Sequence, residues 1–184
     1  RYIWDKTFDG QKNQKITWEH LLNQSSDWKG SLWGINDWED RPNPKLNIDS
    51  WRSEAQKEPG THYKYNDVRV NVLAYSLLNI YRKSLPKVLQ QNIMDRIGAS
   101  DSWKWYGYEN SWVNIDGYMV QSVSGGGHNG GGVFINSEDH ARFGLLYLNN
   151  GLWNGERIIS EEWIKKSITS SSTNPEYGYM WWIN

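Results

Sequence analysis

Two Ser-x-x-Lys quartets occur in the chain, and that spacing suits a serine nucleophile whose proton is taken by the lysine. The chemistry needs the serine at the start of a helix and the lysine one turn later on the same face. The quartet that begins at Ser26 is followed at once by Gly30, so no helix is expected to hold that geometry. The quartet that begins at Ser84 does open a predicted helix, where an N-cap explains the hydroxyl better. We interpret both quartets as chance matches.

A tyrosine precedes the longest predicted helix, in the sequence Tyr65-Asn66-Asp67. A phenol in that place can face a cleft, and a nearby lysine ammonium would lower its pKa from about 10 so that it could accept a proton. Tyr65 is therefore a candidate catalytic residue. The alternative is a half-buried tyrosine that only marks the start of a helix, and the three residues alone leave both interpretations open.

A glycine-dense segment, residues 125–132, surrounds His128 and Asn129. It matches neither the Walker phosphate-binding loop nor GxGxxG, and it holds no lysine or arginine. We expect its glycines to let the backbone approach a ligand or adopt positive φ. His128 is a candidate substrate contact, the alternative being a solvated loop histidine. The histidines show no metal-site spacing, so neither a metal nor a cofactor is predicted.

Helical elements must position these residues. The apolar residues of 66–82 recur at three- and four-residue spacing and so predict a helix with one buried face. Strand-like pieces are expected in 103–123, with turns around Gly107 and Asp116-Gly117, and residues 25–44 are expected to form loops. N-caps are expected at Thr17, Ser84, Ser137 and Ser160. The other predicted helices cover 16–22 and 49–57, run from 84 to about 98 and from 137 to about 149, and begin at 160.

The composition is that of a single globular unit without repeats or linkers. The 184 residues carry a net charge of −1, which gives no basic surface for nucleic acid. There is no cysteine, which excludes disulfides, zinc thiolates and a thiol nucleophile. The most apolar stretch, 68–81, is interrupted by polar residues and is shorter than the ~20 residues of a membrane span, so no transmembrane segment is predicted. The chain shows no signal peptide, and both its ends suggest a fragment.

The 13 tryptophans allow two interpretations. Indole and phenol rings can form a flat platform that stacks on sugars, or they can fill a core. A platform requires that several of the candidate rings be exposed and coplanar. Those candidates are Trp28, Trp33, Trp38, Trp103, Trp105 and Trp112.

Four segments match longer sequence patterns. Residues 16–26 resemble ITxxHLLxxTSG, and residues 59–67 resemble PGxxFxYSN. Residues 131–143 resemble GGxxSTxxDxARF, and residues 177–182 resemble YGYGWW. Each pattern alone is weak, whereas four in this order across nearly the whole chain are specific. Taken together, they resemble the β-lactamase-related serine hydrolases, a group of class C β-lactamases, penicillin-binding proteins and esterases.

The resemblance implies an α+β fold of the serine β-lactamase/transpeptidase type, with residues 1–184 as a partial domain that supplies mainly the helical lobe. It implies acyl transfer through an acyl-enzyme, with the nucleophilic serine and its lysine expected ahead of Arg1 and the third family motif expected after Asn184. An ester, an amide or a peptidoglycan-like small molecule would be the substrate. An exported or periplasmic location would fit this family, although no residue fixes the compartment.

The family pattern also gives roles to matching residues. Tyr65 takes the place of the tyrosine that works with the lysine as general base and proton relay. Asp67 stands where the family usually has an asparagine that contacts substrate, and a carboxylate cannot donate a hydrogen bond as an amide does. That difference favours the esterase and amidase relatives over β-lactam binding. His128 and Asn129 would line the cleft.

Two other functional hypotheses remain open at this stage. One is a tryptophan-rich module that binds carbohydrate or peptidoglycan. The other is a catalytically inactive relative that acts as a scaffold, because the residues that decide activity would lie outside the chain.

Overall fold

The computed structural model describes residues 6–40, 45, 47–125 and 131–183. The predicted contacts His128 and Asn129 lie outside the described residues.

Within the described residues the fold is mixed, with short helices and short antiparallel strands. The helices are α1 Trp18–Leu22, α2 Ile48–Ser53, α3 Asp67–Tyr81, α4 Leu85–Leu89, α5 Ser137–Leu148 and α6 Glu161–Ser167, with 3₁₀ turns at Lys6–Phe8 and Asn13–Lys15 and a π-helical turn at Gln90–Met94. The strands are β1 Ser31–Leu32, β2 Ile35–Asn36, β3 Lys104–Tyr106, β4 Trp112–Ile115, β5 Tyr118–Gln121, β6 Gly132–Phe134, β7 Leu152–Trp153 and β8 Glu156–Arg157.

Helix α3 is the centre of the structure. The helix was predicted over 66–82, and its observed bounds of 67–81 confirm it. The prediction of a single buried face is wrong, because every residue of 67–76 is buried and Tyr81 is exposed. One stretch of α3 packs against α1 and the β1–β2 hairpin through Val68, Val72 and Tyr75, which lie in a cluster with Leu21 and Trp28. Full burial of each such side chain contributes about 1.5–3 kcal/mol. The position of α3 is therefore fixed near the residues that precede it.

Two further apolar clusters extend the core. Leu78 of α3 packs with Leu85 of α4 and with Ile115 of the β4–β5 hairpin. The third cluster contains Ile97 and Leu146, and so joins the turn after α4 to α5. The described residues thus have a continuous apolar interior in which α3 takes part in two of the three clusters.

The strands pair as four separate antiparallel ladders in the described part of the chain: β1 with β2, β3 with β6, β4 with β5, and β7 with β8. The predicted turn at Asp116-Gly117 closes the β4–β5 ladder, and both residues have positive φ, at 53° and 90°. Two left-handed residues in a two-residue loop define a type I′ hairpin, in which glycine is favoured. The β1–β2 hairpin lies in residues 25–44, which were predicted to be loop. The prediction missed this hairpin because each of its strands has only two residues.

Three of the four predicted N-caps occupy that position, and the one at Ser137 is wrong. Thr17 accepts a hydrogen bond from the backbone of His20, and Ser160 accepts one from Trp163. Helix α5 is capped by Asn136 instead of Ser137, since the Asn136 side chain accepts from the Asp139 backbone at 2.8 Å and Ser137 is already helical. Ser84 precedes α4, but its hydroxyl makes no capping bond.

The tryptophan platform is not formed by the rings proposed for it. Trp28 and Trp103 are buried, and Trp33, Trp38 and Trp105 are half-buried. Trp112 alone of the six is exposed. These rings mainly fill the interior, as the alternative interpretation predicts. Among the described residues, no helix is long and apolar enough to cross a membrane.

Candidate functional site

Tyr65 lies in the extended segment that leads into α3, and its side chain is half-buried. The next residue, Asn66, is fully buried and caps the helix, because its side-chain oxygen accepts a hydrogen bond from the Arg69 backbone at 3.1 Å. The Asn66 amide donates to the backbone oxygen of Asp37 at 2.7 Å. The residue beside the phenol is therefore bound both to the helix and to the loop after β2.

Tyr65 belongs to a cluster of four rings, which we call the aromatic cluster: Tyr63, Tyr65, Tyr177 and Trp182. The rings of Tyr65 and Trp182 are stacked, with centroids 6.2 Å apart and planes inclined by 27°. Tyr177 meets both rings nearly edge-on, at 6.2 Å from Tyr65 and 5.0 Å from Trp182. Tyr63 lies 5.2 Å from Tyr177. Such geometries are favourable for aromatic pairs, so the cluster restricts the orientation of the Tyr65 ring.

Among the residues of the aromatic cluster, Tyr177 has surroundings that raise the pKa of its phenol. Burial raises the pKa of Tyr177 well above its usual value, and the neighbouring Tyr65, Tyr63 and Asp67 raise it further. The Tyr177 hydroxyl lies 3.7 Å from the sulfur of Met180. Tyr177 therefore stays protonated over the physiological pH range and is unsuited to accept a proton.

Asp67, the first residue of α3, is buried beside the aromatic cluster. Its carboxylate is near enough to raise the pKa of the Tyr177 phenol. Its backbone N–H donates to the carboxylate of Asp40 at 2.6 Å. An acidic side chain in the first turn of a helix also interacts favourably with the helix dipole. The structure thus brings Tyr65 and Asp67 to the same end of α3.

A buried ion pair connects this end of α3 to the chain after α1. The guanidinium of Arg69 lies 2.7 Å from the Asp27 carboxylate, and both side chains are almost fully buried. Arg69 also donates to the backbone oxygens of Trp28 and Lys64, both at 3.3 Å. The other Asp27 oxygen accepts from the Lys57 backbone at 2.6 Å. The segment on both sides of Tyr65 is thereby held by charge-assisted bonds.

The 177–182 segment lies against α1. The Met180 backbone N–H donates to the Leu22 oxygen at 3.0 Å, and the Tyr179 hydroxyl donates to the Glu19 carboxylate at 2.6 Å. Burial and that hydrogen bond raise the pKa of Tyr179 to about 12. Three of the four segments noted in the sequence therefore converge: the α1 segment, the tyrosine segment and the 177–182 segment.

The first residue of the glycine-dense segment, Gly125, contacts α3. Asn71 lies one helical turn after Asp67, and its side-chain oxygen accepts the Gly125 N–H at 3.1 Å. A β-carbon at Gly125 would stand only 2.0 Å from Val70 Cγ1, so the close approach of this backbone to the helix requires glycine. This contact places the beginning of the segment two turns or fewer from Tyr65 along α3. The roles of His128 and Asn129 stay predictions.

Both Ser-x-x-Lys quartets lack the geometry of a nucleophile and its base. Ser26 is fully buried in a non-helical stretch, and Lys29 forms an ion pair with Asp37 at 3.1 Å. Ser84 is half-buried at the start of α4, whereas Lys87 is exposed. In the described part of the chain, no group of three His, Cys, Asp or Glu residues is arranged to hold a metal ion.

Comparison with protein families shows the class to which this chain belongs. The model of the β-lactamase family matches residues 2–184, and the chain belongs to that family. A search of curated proteins gives no match. Solved structures of this fold do match, so the resemblance noted in the sequence is confirmed.

Three solved structures illustrate the match. A provisionally assigned β-lactamase from Bacteroides dorei DSM 17855 aligns with 17% identity and a TM-score of 0.58 over 91% of this chain and 46% of its own. A provisionally assigned 6-aminohexanoate-dimer hydrolase from Bacillus anthracis aligns with 18% identity and a TM-score of 0.60 over 96% and 49%. A penicillin-binding protein from Bacillus halodurans aligns with 16% identity and a TM-score of 0.52 over 94% and 59%. The chain thus spans about half the length of these proteins.

Sequence reasoning missed the residues that hold Tyr65 in place. Tyr63, Tyr177 and Trp182 form the rest of the aromatic cluster, and the only signal for them was the resemblance of their segments to family patterns. Arg69 and Asp27 carried no signal, since a charged residue in an apolar helix does not by itself indicate its partner.

Proposed function

We propose that the full-length protein is a serine hydrolase that cleaves an ester or amide bond through an acyl-enzyme, with Tyr65 as the proton relay. The observation that carries this proposal is the convergence of three segments at the N-terminal end of α3, where Tyr65 is stacked on Trp182. Family membership over residues 2–184 supports the reaction class.

The reaction would proceed in two balanced steps. A serine hydroxyl outside residues 1–184 gives its proton to the Tyr65 phenolate, or to the lysine paired with it, as its oxygen bonds to the substrate carbonyl carbon. The bond to the leaving alcohol or amine then breaks, and that group takes the proton. Water then attacks the acyl carbon as the relay takes a proton from it. The bond from that carbon to the serine oxygen breaks, the relay returns the proton to the serine oxygen, and the carboxylic acid product leaves.

Asp67 supports a neutral or cationic substrate over an anionic one. Its carboxylate is close enough to the Tyr177 phenol to raise the pKa of that group. A substrate carboxylate brought to the same place would be repelled, because like charges in a partly desolvated site interact strongly. We therefore propose an ester or amide substrate without a carboxylate near the scissile bond, in contrast to a β-lactam, which carries one.

Fluorophosphonate labelling of the full-length protein tests the proposal without a known substrate. We expect the wild type to label at a serine outside residues 1–184 and Tyr65→Phe to label about 10²- to 10⁴-fold more slowly, which is the usual contribution of general acid–base catalysis. Tyr63→Phe removes a phenol from the same cluster and serves as the matched control, with a rate close to that of the wild type.

Three results would contradict the proposal. An unlabelled wild-type protein would support the scaffold hypothesis. Labelling at Ser26 or Ser84 would show that one of the quartets is catalytic after all. Equal rates for Tyr65→Phe and the wild type would remove Tyr65 from the mechanism.

A further inference from the structure

Both residues that flank Tyr65 donate hydrogen bonds to one residue, Gln24. The Lys64 N–H donates to the Gln24 backbone oxygen at 3.0 Å. The Asn66 N–H donates to the Gln24 side-chain oxygen at 3.0 Å, across 42 positions in the sequence. The backbone of the candidate relay is therefore held on both sides by a single glutamine.

The amide nitrogen of Gln24 faces two other segments. It donates to the Leu21 backbone oxygen at 3.0 Å and lies 3.9 Å from the Met180 sulfur. Met180 in turn donates its backbone N–H to Leu22. One carboxamide thus contacts the end of α1, the start of α3 and the segment that carries Trp182.

Gln24 is fully buried and has an unusual backbone, with φ of 57°. A non-glycine residue in the left-handed region is uncommon and persists only where its surroundings hold it there. Here the left-handed turn lets the backbone oxygen and the side-chain oxygen of one residue reach two donors on the same segment. A glycine would permit the turn but could not supply the second oxygen.

We propose that Gln24 is a positioning residue for Tyr65, a role that rests on the proposed function. It sets the distance of the phenol from the serine by fixing the peptides on both sides of it. The aromatic cluster orients the ring, whereas Gln24 fixes the backbone from which the ring extends. A displacement of about 1 Å of a catalytic group can lower a rate by 10².

The test compares two substitutions of similar size in the full-length protein, with 4-nitrophenyl acetate as substrate. Gln24→Met removes the acceptor for Asn66, and we expect kcat to fall about 10- to 100-fold with KM changed less than about threefold. Gln24→Glu keeps an acceptor oxygen, and we expect its kcat to lie nearer that of the wild type. Asn136→Ala, which removes the α5 cap far along the chain, controls for lost stability.

A double-mutant cycle distinguishes positioning from a merely structural role. In a Tyr65→Phe background, Gln24→Met should lower the residual kcat by less than about twofold, because the group that it positions is gone. Full additivity of the two effects would overturn the proposal. So would a kcat for Gln24→Met that equals that of Asn136→Ala.

Amide hydrogen exchange separates failure of this inference from failure of the proposed function. The Asn66 N–H should exchange at least about tenfold faster in Gln24→Met than in the wild type, whether or not the protein hydrolyses the ester. Equal exchange would overturn the positioning role on structural grounds alone. If Tyr65→Phe is fully active, the proposed function fails, and the positioning role in catalysis fails with it.

Discussion

The indole of Trp182 stacks on the phenol ring of Tyr65, although the two residues belong to different segments. Trp182 is 63% exposed, so the stack covers only part of its surface.

Removal of the Trp182 ring should slow catalysis. Aromatic pairs contribute about 0.5–1.5 kcal/mol, so we expect Trp182→Ala to lower kcat/KM for 4-nitrophenyl acetate by about 2- to 12-fold. Trp182→Phe keeps a stacking ring and should recover most of the rate. Trp163→Ala is the control, because that half-exposed ring contacts Tyr179 outside the aromatic cluster. A Trp182→Ala rate equal to the wild type would contradict the prediction.

Replacement of Asp67 by asparagine should broaden the substrate range. Loss of the carboxylate removes repulsion of an anionic substrate, and about 1.4 kcal/mol corresponds to a tenfold change. We expect Asp67→Asn to react with nitrocefin, an anionic β-lactam, about tenfold faster relative to 4-nitrophenyl acetate. An unchanged ratio of the two rates would show that Asp67 does not set substrate charge.

Loss of one partner of the Arg69–Asp27 pair should lower stability more than replacement of both. Arg69→Met leaves the Asp27 carboxylate buried without its cation, and loss of one partner of such a pair costs about 3–5 kcal/mol. The double substitution Arg69→Met with Asp27→Leu should lose less, because no charge is stranded. Urea unfolding of the full-length protein measures both values. A single-variant loss below about 1 kcal/mol would contradict the prediction.

Asp139 should make stability depend on acid pH. Hydrogen bonds from the Ser100 hydroxyl at 2.5 Å and the Ser100 backbone at 2.9 Å lower the pKa of this carboxyl group below its usual value. Stabilisation from a lowered pKa is present above the unfolded value of about 4 and is lost as the pH falls through the folded value.

Thermal unfolding of Asp139→Asn tests this dependence. The variant should melt below the wild type at pH 7, with a constant difference down to about pH 5. The difference should begin to shrink near pH 4, where the unfolded carboxyl group takes up its proton, and should close as the pH falls through the lower folded value. A difference that stays the same at pH 3 would exclude ionisation of Asp139 as its cause.

The sequence predicted those parts of the fold that depend on local physics. Helix α3 followed from its apolar spacing, and the turn at Asp116-Gly117 followed from residues that tolerate positive φ. The Thr17 and Ser160 caps followed in the same way. Each of these signals lies within a few residues of the structure that it specifies, so no knowledge of distant contacts was needed.

Long-range contacts account for what was not predicted. Gln24 and Asn66 are 42 positions apart, and no periodicity relates a buried glutamine to a particular N–H. The error at α5 has a local cause: Asn136 and Ser137 are both good caps, and the sequence does not reveal which one begins the helix. The segments of the candidate site were found through their order along the chain, whereas the contacts that join them required coordinates.

The left-handed bend at Gln24 has a consequence for engineering. Glycine at this bend would relieve the backbone and keep the main-chain bond from Lys64. It would also leave the buried Asn66 N–H without its acceptor and the space of the buried side chain empty, and both effects destabilise the fold. At this position, selection for melting temperature and selection for turnover would therefore retain the same residue.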